Sequence, residues 1–68
     1  MLKINEGDVI ETKKSILVVN PDRPLVYSTY PPMEYTVEYL LDNDAWLVDP
    51  YDKENFIIVP MDVLEGAV

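Results

Sequence analysis

The chain has 68 residues, with thirteen Asp and Glu against five Lys and Arg, a formal net charge of −8, and neither Cys nor His. A single domain, 1-68, is expected at this length, and it buries only about 60% of its unfolded surface, so its stability should be marginal. The lack of Cys and His excludes disulfides, thiolate chemistry and the usual zinc or haem ligands, the acidic excess opposes binding to nucleic acid and anionic membrane, and the 49% hydrophobic content argues against disorder.

Met1-Leu2-Lys3 leads directly into patterned sequence, without a leader or an apolar run of membrane-spanning length, so a soluble, cytoplasmic protein is expected. Leu2 and Ile4, then Gly7-Asp8-Val9-Ile10, predict a brief first strand, a Gly-containing turn and a second strand. Beyond Glu11-Thr12-Lys13-Lys14, the run Ser15-Ile16-Leu17-Val18-Val19 has high β propensity and is stopped by Asn20-Pro21. Lys13-Lys14 is then either a hairpin tip or part of one long bent strand. Between the breaks at Pro21 to Pro24 and at Tyr30-Pro31-Pro32, Leu25 to Thr29 is at most a short edge strand. The whole of 20–33 reads as a mobile or functional loop, because structureless loops of this length are uncommon unless they work.

From Glu34 to Asp42 apolar Tyr35, Val37, Tyr39 and Leu41 alternate with polar positions, Leu40 being the one exception. That period of two is a half-buried strand. Asp42-Asn43-Asp44 tolerates positive φ and predicts a tight reversal, so Ala45-Trp46-Leu47-Val48 returns as a hairpin. An even-numbered loop puts Trp46 on the face of Tyr39 and Leu41, in the core; a three-residue loop turns it outward beside Leu40. The buried ring is preferred here, because a short domain needs its largest apolar side chain inside. Asp49-Pro50 ends the strand, Asp52-Lys53-Glu54-Asn55 reads as a second turn, and Phe56-Ile57-Ile58-Val59 as a strand covered on both faces or closing a barrel. After Pro60, Asp62 and Glu65 have capping-box spacing for one helical turn that Gly66 ends. The fold class expected is all-β: a small five-stranded barrel, or a strongly bent antiparallel sheet, with one short helical turn near the C-terminus.

Glu6-Gly7-Asp8-Val9-Ile10, the hairpin leading to Asp44-Ala45-Trp46-Leu47-Val48, and Phe56-Ile57-Ile58-Val59-Pro60 before a helical turn together resemble the layout of SH3-like small barrels. The resemblance implies a binding module, and Trp46 and Pro60 stand where peptide-binding members line their groove. The aromatic first-loop motif of those members is missing, and Met61-Asp62-Val63 lacks the Tyr that follows their Pro. These departures argue against proline-peptide binding.

Paired carboxylates such as Asp42 with Asp44, Asp49 with Asp52, and Glu34 with Glu38 read as a solvated acidic face, since no His, Cys or Lys stands near them to complete a catalytic set. Asp42, Asn43 and Asp44 match no EF-hand spacing and read as turn chemistry. No enzyme, metal or cofactor is expected. Tyr27, Tyr30, Pro31, Pro32 and Tyr35 form a dense aromatic and proline cluster, either a contact surface or a lid over the barrel end. Glu34, Glu38 and Asp42 share one strand face, about 7 Å apart in succession, and serve either solubility or a surface for cations.

The expected function is therefore non-enzymatic: an acidic regulator or inhibitor that covers a basic, nucleic-acid-binding surface of a partner protein as a mimic of DNA phosphate. Glu34, Glu38, Asp42, Asp44, Asp49 and Asp52 would supply attraction, and Tyr30, Tyr35 and Tyr51 contact area. In character this resembles the small acidic inhibitors of phages and other mobile elements. The expected partner is a protein with a basic surface, with no direct nucleic acid and no membrane; a homodimer would help so small a core. The alternative is an SH3-like adaptor or structural subunit docked through its Tyr and Pro loop.

Overall fold

A computed structural model describes residues 4–20 and 23–68. In chain order these form β1 (Val9–Glu11), β2 (Ile16–Asn20), β3 (Arg23–Tyr30), β4 (Glu34–Leu41), β5 (Asp44–Asp49), β6 (Asp52–Pro60) and the helix α1 (Met61–Ala67). All strand pairs are antiparallel. They make a four-stranded sheet ordered β1-β4-β5-β6 and a separate β2-β3 hairpin. The all-β class with a small helix is as expected, but the described residues carry six strands in two sheets that do not close into a barrel.

The core lies between one face of the larger sheet and the hairpin with α1. On that face Ile10 sits opposite Tyr35, Val37 aligns with Leu47 and Ile57, and Leu40 aligns with Ala45 and Val59. Ile16 and Val18 from β2, and Leu64 and Ala67 from α1, are buried with them. Burying side chains of this kind contributes about 1.5–3 kcal/mol each, so these few rows carry most of the fold. Buried Thr12 fastens the β1 end: its hydroxyl donates to the Met33 carbonyl (3.3 Å) and accepts from the Met33 amide (3.2 Å).

One irregularity sets which face each side chain takes. Val37 pairs with Leu47 and Tyr39 pairs with Trp46, so Glu38 is an extra residue on β4. A β-bulge of this kind moves every later side chain to the other face. Tyr35 and Val37 therefore point inward while Tyr39 and Leu41 point outward, and Leu40, the exception to the alternation, packs on the core.

Trp46 is the consequence that corrects the sequence reading. The loop is even, with Asp42 (φ 49°) and Asn43 (φ 66°) as the two central residues of a hairpin turn of the type that needs positive φ at both positions. Trp46 does share a face with Tyr39 and Leu41, but that face is the outer one. The ring is half-buried against other aromatics and lies outside the core.

Other expectations also change. Leu2 lies outside the described residues, and Ile4 is buried without joining a strand. Lys13-Lys14 is neither hairpin tip nor strand: β1 pairs with β4 and β2 with β3, and the Lys13 and Lys14 amides donate to the Ala67 carbonyl at the end of α1. Of the segment expected as a loop, Pro21 and Asp22 fall outside the described residues, and Arg23–Tyr30 forms the full ladder partner of β2. An apolar strand needs such a partner for its backbone groups, and Pro24 is tolerated because β3 is an edge. The polar run Asp52 to Asn55 belongs to β6, and the turn before it is Pro50-Tyr51. Phe56 and Ile58 of β6 face outward, so that strand is covered on one side.

The capping box does not form. Pro60 occupies the N-cap position without a side-chain bond, and the Met61 amide donates instead to the Asn43 carbonyl (2.9 Å). A backbone acceptor from the β4–β5 turn has taken the place of the side-chain cap, and α1 runs seven residues, through Gly66. Among the described residues no helix is long and apolar enough to cross a membrane.

Candidate functional site

The nine residues expected to form the site divide into three places. Glu34, Glu38, Asp42 and Asp44 belong to the outer face of the large sheet and its rim. Glu34 begins β4 opposite Glu11, Glu38 is the bulge residue, Asp42 is in the turn, and Asp44 faces outward between Leu41 and Pro60. The bulge breaks the even spacing expected for Glu34, Glu38 and Asp42.

Around the β5–β6 turn lie Asp49, Asp52, Tyr30 and Tyr51. Asp49 accepts from the Tyr51 amide (2.8 Å) and from the Tyr30 hydroxyl (3.2 Å), and the Tyr30 ring stacks on Tyr51 with centroids 5.9 Å apart. Asp52 accepts from the Glu54 amide (3.1 Å) and the Asn55 side chain (2.6 Å). These two carboxylates are occupied in shaping the turn. Burial, then the neighbouring Asp49 charge and its hydrogen bond, raise the Tyr30 hydroxyl above the ordinary tyrosine value.

Tyr35 is the third place, turned inward from β4. It is 2% exposed in the core, and its hydroxyl donates to the Pro31 carbonyl. Burial raises it as well, with Tyr51, Tyr30 and Asp49 adding. Offered as contact area, Tyr35 is corrected: the inward side of β4 leaves it no face for a partner. With Tyr30 tied to Asp49 and Tyr35 tied to Pro31, that part of the aromatic and proline cluster holds its own segment down; Tyr27, at 58% exposed, and Tyr51, at 72%, remain open.

The outer sheet face also carries residues that the sequence reading did not assign to a site, apart from Trp46, which the SH3-like resemblance set at a groove. Beyond the bulge, Tyr39, Trp46 and Ile58 form one row across β4, β5 and β6, and Val48 pairs with Phe56 in the next outward row. The rings of Tyr39, Trp46 and Phe56 meet in pairs, with centroids 6.3, 5.7 and 6.1 Å apart and tilted or edge-on planes. Aromatic pairs of this geometry stabilise by about 0.5–1.5 kcal/mol each beyond their buried area. The cluster thus ties three strands together, yet Tyr39 is still 44% exposed and Phe56 40%. Exposed Val9 and Leu41 extend the apolar area.

Carboxylates flank this aromatic centre. Glu11 and Glu34 oppose one another across β1 and β4, Asp42 and Asp44 lie at the hairpin end, and Glu38 sits on β4 between them. Lys53 borders the face at a shallow depression lined by Glu34, Thr36, Val48, Asp49 and Pro50, which corrects the expectation that no Lys stands near the paired carboxylates. Among the described residues no group of three or more His, Cys, Asp or Glu is placed to hold a metal ion. Comparison with protein-family models, curated proteins and solved structures finds no match to this chain.

Proposed function

We propose that the protein is a non-enzymatic acidic binding module that covers a basic surface of a partner protein, as a regulator or inhibitor mimicking the charge of nucleic acid. The observation that carries this reading is the pairing of Glu11 directly opposite Glu34, on the face that also presents Glu38, Asp42 and Asp44. Like charges set opposite each other across a sheet destabilise it, and a cationic partner would relieve that repulsion. An SH3-like layout belongs to the same proposal, supported by the hairpin leading to Trp46 and the helix after Pro60. The adaptor reading is less favoured, because Tyr30 and Tyr35 of its docking loop are engaged within the fold.

Titration with poly-arginine at low and raised salt tests the proposal. Binding should weaken steeply as salt screens the charges. The double variant Glu38→Gln with Asp42→Asn should bind more slowly than wild type at low salt, while Tyr51→Ala should alter the association rate little. Binding indifferent to both salt and charge neutralisation would reject the reading.

A further inference from the structure

Resting on that reading, we infer that the docking face is the outer surface of β4, β5 and β6 centred on Tyr39, Trp46 and Phe56, and that its occupant is a partner segment carrying arginine between apolar residues. The face joins two features that such a segment matches together. Its centre is three rings in mutual contact, two of them 40–44% exposed. Its borders are carboxylates on three sides, Glu11 with Glu34, Glu38, and Asp42 with Asp44.

A guanidinium plane stacks on an aromatic face and pairs with a carboxylate fork, and it sheds water more readily than an ammonium does. Arginine therefore fits both parts of the surface, and the apolar residues between successive arginines cover Leu41 and Ile58. Lysine also meets carboxylates and rings, but as a strongly hydrated point charge without a plane to stack or a fork to pair. A second copy of this chain is a poor occupant, because face-to-face packing would set these carboxylates against their equivalents on two chains that each carry a net charge of −8.

The test uses the whole protein and a synthetic peptide of about twelve residues in which Arg-Arg and Leu-Leu pairs alternate, so that an extended chain carries both residues on each face and is long enough to cross three strands about 4.8 Å apart. Twin peptides replace Arg by Lys or by Glu. Heteronuclear NMR follows the side-chain signals of Tyr39, Trp46 and Phe56 during titration. The Arg peptide should move these signals first and bind roughly tenfold tighter than the Lys peptide, because guanidinium stacks, forks to carboxylates and sheds water more readily than ammonium, and the Glu peptide should not bind. Tyr39→Thr with Phe56→Thr, substitutions that keep β propensity on an exposed face, should remove the Arg preference and leave weak, salt-sensitive binding. Tyr27→Thr, on the outer side of the β2-β3 hairpin, should bind as wild type does.

Equal binding of the Arg and Lys peptides, with shifts confined to Tyr51 and Asp52, would overturn this face while leaving the basic-surface reading intact. No binding of either cationic peptide at low salt would overturn both. Shifts of Tyr39 and Phe56 with protein concentration alone, together with dimer in sedimentation, would make a second copy the occupant and reject the inference.

Discussion

Thr12 shows how much of this small fold rests on single polar contacts. Its hydroxyl both donates to and accepts from the Met33 backbone in a buried place. Thr12→Val keeps the shape but leaves the Met33 amide without that acceptor, and should cost about 1–3 kcal/mol, measured as a fall in the urea midpoint. A second effect at this scale depends on pH. Tyr30 and Tyr35 keep their protons to higher pH in the folded chain than in the unfolded one, where the value is 10.0. The folded state therefore holds more protons above that pH, so the stabilisation is complete below about pH 10 and is lost as pH rises through the folded-state values. Urea midpoints followed from neutral to alkaline pH should decline there, and Tyr30→Phe should make the decline shallower; an unchanged slope would show that Tyr30 does not contribute.

At the level of elements, β4 decides the arrangement. Because Glu38 is an extra residue between the Val37–Leu47 and Tyr39–Trp46 pairs, deleting it should restore a regular ladder with all other side chains on their present faces. That deletion should fold, with Trp46 fluorescence close to wild type. Deleting Thr36 should instead turn Tyr35 out of the core and unfold the domain; far-ultraviolet circular dichroism separates the two outcomes.

The same strand marks what was legible in the sequence. Its alternation located β4, and Asp42-Asn43 located the turn, because positive φ has a clear residue signature. The bulge was visible only as Leu40 interrupting the pattern, and period alone does not say which side of an interruption faces the core. The aromatic face was missed for that reason. Strand β3 was read as no more than a short edge strand over Leu25 to Thr29, because Pro24, Pro31 and Pro32 weigh against a longer one locally, whereas β2 supplies a ladder that no local signal records. The capping box failed likewise, since the acceptor for Met61 comes from Asn43, distant in sequence.

For the whole molecule, the net charge of −8 acts on stability and binding in opposite directions. Salt should raise the melting temperature by screening self-repulsion while it weakens capture of a cationic partner; a melting temperature that falls with added sodium chloride would contradict this. Both the architecture and the proposed docking face depend on where Trp46 lies. Nuclear Overhauser contacts of its indole ring decide that in one experiment. Contacts to the rings of Tyr39 and Phe56, with none to Leu64 or Ile16, are the expected result. Contacts to Leu64 or Ile16 would place the ring in the core, remove the bulge at Glu38 from the account, and leave the acidic face without an aromatic centre.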